Sequence, residues 1–248
     1  MNKIFLLVSF LFILKLSYSQ VLSTEFGGFT GITSMQTDYG ERGHFASSYA
    51  NIGYAFGGIM YLSVSDKRKY WNQRGNFYYD HFRLRFEISF MKTKLKHRGR
   101  YTEGTSENTI KYNAMRGIST ILNYGFQIEY SISPISDNQF LEPYVSFGIL
   151  RNSNKPQLNS TIGNINTDNS LIPTVYTNGV FLNKNTSFSP IISAGIRVNK
   201  NEKSKYLIDF RLQRFNSDIV EGLKPKLDAN KFNDWLLCMS FGYILKLN

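Results

Sequence analysis

The sequence predicts an all-β protein: an eight-stranded antiparallel up-and-down transmembrane β-barrel. Three observations carry that prediction. Apolar residues recur with a period of two in run after run, and the connections between runs alternate between short and long. Beyond the amino-terminal stretch, no segment offers the roughly eighteen consecutive apolar residues that a membrane helix needs.

The clearest run is Gly117–Ser133. Ile118, Thr120, Leu122, Tyr124, Phe126, Ile128, Tyr130 and Ile132 fall on one face, and Ser119, Asn123, Gly125, Gln127, Glu129 and Ser131 on the other, with Ile121 as the exception. A helix would mix these two sets within two turns, whereas a strand separates them. The same pattern recurs in Phe82–Phe90, Leu141–Ile149, Ser189–Val198, Tyr206–Gln213 and Trp235–Leu247. Two weaker, glycine-rich runs come first, at Ser23–Ile32 and Ile52–Ser63. The total is even, so a closed sheet leaves no unpaired edge.

Connection lengths suggest the orientation. With an internal amino terminus, the turns after the second, fourth and sixth strands are periplasmic: Ser65–Tyr78, Pro134–Gln139 and Asn199–Ser204. The other connections are longer and face outward, the longest being Arg151–Ser187, rich in Asn, Thr and Ser. Short inner turns and long outer loops are the asymmetry of outer-membrane barrels.

Alternation alone leaves open which face is inside, and a soluble carrier would turn the apolar face inward. The polar face carries Glu25, Arg83, Arg85, Glu87, Glu129, Glu142, Arg197, Asp209 and Arg211, opposite charges suited to a lumenal network. It is also rich in Gly and Ser, as a narrow interior requires. The apolar face ends in Tyr130, Tyr206, Tyr243 and Trp235, where interfacial aromatic girdles sit. In the third strand the outward face is apolar over Phe82–Phe90, close to the roughly 9–11 residues of a spanning strand, and then turns to Lys92, Lys94 and Lys96. Arg116 occupies the matching face of the fourth strand. This basic group is expected either to meet lipopolysaccharide phosphates or to be a solvated strand end.

The amino terminus reads as a signal peptide, residues 1–19. Asn2 and Lys3 form a basic n-region, Ile4–Leu14 is apolar, and Ser17-Tyr18-Ser19 offers a cleavage site, so the barrel domain would be residues 20–248. Its removal takes away Lys3 and Lys15 and changes the formal charge from +11 to +9. For an exported chain the expected counterpart of that charge is outer-membrane lipid, not nucleic acid. The single cysteine, Cys238, excludes an internal disulfide and falls on the lumenal face as a small filler.

The connecting segments resemble those of a family of uncharacterised outer-membrane β-barrel proteins of flavobacteria and other Bacteroidota. The likeness is carried by Thr37-Asp38-Tyr39-Gly40-Glu41-Arg42, Asn51-Ile52-Gly53, Asp80-His81-Phe82-Arg83-Leu84-Arg85 and Lys96-His97-Arg98-Gly99. It continues through Leu122–Tyr130, Pro143–Ile149, Gly163-Asn164-Ile165 and Asn233-Asp234-Trp235. The resemblance implies the barrel and brings no activity. Members have at times been called glutamate dehydrogenase, but Gly27-Gly28 with Gly31, and Gly53 with Gly57-Gly58, lie inside strands and lack the G-x-G-x-x-G spacing of a dinucleotide site.

Catalytic chemistry finds little support. There is no G-x-S-x-G elbow, no H-E-x-x-H and no clustered His/Cys set, so neither a cofactor nor a metal is expected. His44 and His97 fall in outer loops, with Ser47, Ser106 and Asp38 as conceivable partners for acyl transfer on lipid. Solvated loop histidines are the simpler reading. A ring of Arg and Glu could select ions in a wide pore, but an eight-stranded interior is filled by its own side chains. The leading expectation is a non-enzymatic barrel with a structural or surface-interaction role in the cell envelope, accessory to a secretion or motility assembly in one version. Its outer loops would meet envelope protein partners. The alternative is a lipid-modifying enzyme using His44 or His97.

Overall fold

Strand pairing closes on itself. The computed structural model describes residues 21–40, 51–65, 77–135, 139–165, 169–225 and 234–247. The eight strands are β1 (Val21–Gln36), β2 (Ile52–Ser65), β3 (Phe82–Lys96), β4 (Met115–Ser131), β5 (Leu141–Ser160), β6 (Asn185–Asn201), β7 (Ser204–Arg214) and β8 (Trp235–Lys246). Each pairs antiparallel with its neighbour in sequence, and β1 pairs with β8, so the all-β sheet is a closed up-and-down barrel. Two short helices sit in the connections, α1 (Phe77–His81) before β3 and α2 (Glu107–Ala114) before β4. The signal-peptide expectation for residues 1–19 lies outside the described residues, as do His44 and Ser47.

Side chains sort by sign and polarity as a strand's two-residue period demands. Outward residues such as Ile32, Phe56, Ile88, Phe126, Phe147, Ile192, Phe210 and Phe241 are exposed, Phe147 by 63% and Ile32 by 61%. Within the described strands every carboxylate faces the lumen: Glu25, Glu87, Glu129, Glu142 and Asp209, all buried. Aromatic residues gather at the rims. Phe77, His81, Phe82 and Tyr130 cluster at the short-turn end, with Phe82 and Tyr130 ring centroids 5.3 Å apart, and Tyr206 lies 5.5 Å from Tyr243. At the opposite rim Arg214 covers the Trp235 ring at 5.6 Å.

Several strands run further than their sequence runs. The expected Arg151–Ser187 loop is in fact strand at both ends: β5 continues to Ser160 and β6 begins at Asn185. The physical reason is an inversion of polarity. Beyond Ile149 the outward face of β5 becomes Arg151, Ser153, Lys155, Gln157 and Asn159, while the inward face keeps buried Leu150 and Leu158. Apolar-outward alternation therefore stops where the strand does not. The same inversion explains Ile121, which breaks the polar face of β4 because the outer half of the lumen is itself apolar.

The narrow lumen depends on close approach at particular glycines. A Cβ on Gly195 would press against the Ile208 carbonyl oxygen and stand 2.5 Å from the Tyr144 hydroxyl. On the outward face the nearest side-chain atom to a Gly58 Cβ would be Ile88 Cγ2 at 3.8 Å, ordinary contact. Gly195→Ala should therefore lower stability by about 1–3 kcal/mol, the usual cost of overpacking. Gly58→Ala should stay within about 0.5 kcal/mol, as for surface changes. Urea unfolding followed by the heat-dependent mobility of the folded barrel measures both.

Candidate functional site

The lumen is stacked in tiers. At the short-turn end, Arg83 Nη1 donates to Glu142 Oε2 at 3.0 Å, and Lys205 Nζ bridges Glu25 at 3.1 Å and Glu142 at 3.2 Å. Arg197 grips both oxygens of Glu129, and its guanidinium is sandwiched between the Tyr61 and Tyr144 rings at 4.6 and 4.5 Å. One tier further out, Arg211 makes a two-pronged pair with Glu87 at 2.6 and 2.5 Å. Arg85 spans Glu87 and Asp209, each at 3.0 Å, and the Tyr144 hydroxyl donates to Asp209. Gln127 Nε2 donates to Glu87 at 3.2 Å while its oxygen accepts from Ser146 at 2.8 Å.

Above the charges lies an amide tier. Asn152 Nδ2 donates to Asn123 Oδ1 at 2.7 Å and Ser189 Oγ at 2.9 Å, and Gln213 Nε2 donates to Ser189 at 2.8 Å. The outer half is apolar, with Met35, Leu95, Met115, Ile121 and Leu236 buried together with Phe215, Val220 and Leu223. The last three come from the β7–β8 connection, which dips into the mouth and is held there. Ser119 Oγ donates to the Val220 carbonyl at 2.9 Å, and Phe181 N donates to the Gly222 carbonyl at 2.8 Å. The barrel is filled along the part of its length that these tiers occupy.

All the lumenal charges named from the sequence come together in this stack. Glu25, Glu87, Glu129, Glu142 and Asp209 face Arg83, Arg85, Arg197, Arg211 and Lys205, so these ten residues carry no net formal charge. Lys205 was missing from the sequence expectation because the β7 run was read from Tyr206. Continuing the alternation one residue back would have found it. Asn152 was missed for the same reason, since it lies beyond Ile149.

His97 corrects an expectation. It is not a solvated loop residue but is 1% exposed at the mouth, stacked on Tyr39 at 4.6 Å, edge-on to Tyr112 at 4.9 Å and near Tyr176 at 6.0 Å. Its Nδ1 accepts the Gly40 N–H at 3.2 Å, which leaves the proton on Nε2. Burial, with Arg116 nearby, pushes its pKa down to about 3. A neutral ring with its lone pair occupied and aromatic neighbours is a packing element, not an accessible base. Asp38 lies beside it with its backbone N–H on Glu221 at 3.2 Å and its carbonyl on the Tyr176 hydroxyl at 3.0 Å. Ser106, the other named partner, caps α2 by accepting the Thr109 N–H. Among the described residues no group of His, Cys, Asp and Glu could hold a metal. Cys238 is buried against the lumen.

The tyrosine cover has its own support. A Cβ on Gly117 would lie 2.6 Å from the Tyr39 ring and hydroxyl, so β4 makes room for that ring with a glycine. Asn51 Nδ2 donates to the Tyr39 carbonyl at 2.9 Å while its Oδ1 accepts from Lys96 N at 2.9 Å. Burial, with Glu221 nearby, holds the Tyr39 phenol well above its usual range. Burial, next to Asp234 and Asp38, does the same for the Glu221 carboxyl.

Lys92, Lys94, Lys96 and Arg116 lie on the outward face beyond the apolar belt. Lys96 is paired across strands with Arg116, Lys94 with Ile118 and Lys92 with Thr120. They are remote in direction from the lumenal tiers, on the other side of the wall.

No protein-family model matches the sequence, and no curated protein matches it. Solved structures align with most of the chain at low identity and with TM-scores below 0.5. The attachment invasion locus protein Ail of Yersinia pestis, in complex with the heparin analogue sucrose octasulfate, is 9% identical with a TM-score of 0.45, over 91% of this chain and 98% of that one. A major outer membrane protein from Thermus thermophilus is 10% identical with a TM-score of 0.49, over 92% of this chain and 100% of that one. The outer membrane enzyme PagL is 13% identical with a TM-score of 0.36, over 89% of this chain and 98% of that one. None of these assigns an activity here, and the closed strand order alone establishes the barrel.

Two outcomes follow. Glu87→Ala strands Arg85 and Arg211 and should cost about 3–5 kcal/mol, part of it recovered in Glu87→Ala/Arg211→Ala; a urea-unfolding double-mutant cycle reads the coupling. The second concerns pH. A freed histidine titrates near 6.5 but His97 in place does so at about 3, so the opened mouth gains a proton that the closed one refuses. Closure should weaken progressively as pH falls from about 6.5 toward 3. Glu221, with its raised pKa, acts in the opposite sense. Hydrogen exchange at the Gly40 amide should therefore be faster at pH 4.5 than at 7.5, after correction for intrinsic rates, and His97→Gln should abolish or reverse that difference.

Proposed function

We propose that the protein is a non-enzymatic outer-membrane β-barrel with a structural or surface-interaction role in the cell envelope, exported and inserted with its long connections outward. The single observation that supports it best is the sorting of side chains across the wall. Apolar residues face out around all eight strands, and every strand carboxylate faces in, where charges pair. A soluble protein would leave such a belt in water at a heavy cost, whereas in a bilayer the belt is solvated by acyl chains and the closed ladder satisfies the backbone. A filled lumen argues against transport, so the working surfaces are the outer wall and the loops. On this reading the chain sits with the Bacteroidota barrel proteins that its connecting segments resemble.

Fractionation tests the reading. The protein should stay in the outer-membrane fraction after carbonate extraction and run faster on gels when unheated. Recovery from the soluble periplasm without that mobility shift would overturn it. In planar bilayers the purified barrel should give no stepwise conductance; stable steps would contradict the filled lumen.

A further inference from the structure

The outward wall of the barrel is uneven in charge. Within the described strands no outward position is Asp or Glu, while Lys92, Lys94, Lys96, Arg116, Arg151, Lys155, Lys200 and Arg214 all point out. Six of these eight lie on the neighbouring strands β3, β4 and β5, at the end with the long connections. Cross-strand rows bring them together. Lys92 is opposite Thr120, which is opposite Lys155; Lys96 is opposite Arg116. Arg151 is opposite Tyr124 and lies 6.0 Å over the Phe188 ring. Residues on one face of a strand repeat every ~7 Å and neighbouring strands are ~4.8 Å apart, so Lys92 and Lys155 stand about 10 Å apart across the strands, while the whole set, from Arg151 to Lys96, forms a band about 27 Å long.

On β3 and β5 the lower edge of the basic band follows the membrane, not the strands. On β3 the first cation after the apolar run is Lys92, opposite Thr120; on β5 it is Arg151, opposite Tyr124. Moving two strands along the wall therefore lowers the boundary by four β4 residues, of the order that strands tilted by about 45° require of a level plane. A row of solvated strand ends has no reason to follow such a plane. Directly beneath it are Phe90, Leu122 and Ile149. Acyl chains below and anionic groups above is the amphiphile this surface fits, and the nearest acid in α2, Glu107, is paired with Lys111 at 2.6 Å.

We infer that the outward face of β3–β5 is a docking surface for the phosphorylated head groups of outer-leaflet lipopolysaccharide, with Arg151 and Lys155 extending the row of Lys92, Lys94, Lys96 and Arg116 into a band. The inference rests on the membrane reading above. The long stems lie along the wall and carry their charges to the phosphate level, and Arg116 is steadied by its Nη1 bonds to the Asn113 and Met115 carbonyls at 2.6 and 2.8 Å.

The test is equilibrium binding of fluorescent lipopolysaccharide to folded barrel in zwitterionic micelles. The sixfold variant with Gln at Lys92, Lys94, Lys96, Arg116, Arg151 and Lys155 should bind at least tenfold more weakly, and Arg151→Gln/Lys155→Gln about threefold. Lys200→Gln, at the opposite rim, should bind as wild type does, and enzymatically dephosphorylated lipopolysaccharide should bind wild type as weakly as the sixfold variant binds the intact lipid. Heat-dependent mobility checks that each variant folds; should the sixfold variant fail to, the double variant and the dephosphorylated lipid decide. Unchanged binding in the double variant, or equal binding of intact and dephosphorylated lipid, overturns the inference and leaves the membrane reading standing. Competition by soluble heparin at concentrations equal to the lipid's would make the face a polysaccharide site and also overturn it. A wild-type chain that fractionates as a soluble protein overturns both.

Discussion

A barrel of eight strands has an interior too narrow to hold water as a solvent and too polar to be left empty, and this constraint organises the rest of the molecule. Ionised side chains taken out of water must meet opposite charges at short range. Here Arg211 and Glu87 meet as a two-pronged pair, Arg197 is held by Glu129 between two tyrosine rings, and Lys205 bridges two carboxylates. The five acids and five bases cancel, with Lys246 half-buried at the rim beside Glu25 in register. Glycines such as Gly195 supply the room, and the apolar residues excluded from this interior have only the outer wall to occupy. An apolar belt and a neutral lumen are thus two faces of one arrangement.

The outer half obeys the constraint differently. Above the amide tier the lumen becomes apolar, and the Phe215–Leu223 segment folds inward to fill it. Over that plug, aromatic rings from three connections pack around His97. The connections therefore do more than project from the rim: parts of them finish the core, which ties the surface they present to the stability of the wall below.

Legibility followed the periodicity. Where one face is apolar and the other polar, as in β4, the strand, its facing and its lumenal charges were readable residue by residue. Beyond Ile149 the outward face turns polar while the inward face mixes Leu150, Pro156 and Leu158 with Asn152 and Asn154, so apolar-outward alternation ends eleven residues before β5 does. Arg151 and Lys155 were consequently read as loop, and the basic row was seen only in part. His97 was misjudged because its burial depends on Tyr39, Tyr112 and Tyr176, contacts from distant segments that no local pattern announces. The burial of Glu221 beside Asp234 and Asp38 was invisible for the same reason.

The central claim is that acyl chains, not water, bathe the apolar face. It is tested most directly with Phe147→Trp in a background where Trp71 and Trp235 are replaced by Phe. The folded barrel is reconstituted in bilayers of lipids brominated along the acyl chain. Strong quenching by bromine and little by aqueous acrylamide is the predicted result. Quenching by acrylamide without effect of bromine would place Phe147 in water and contradict the account.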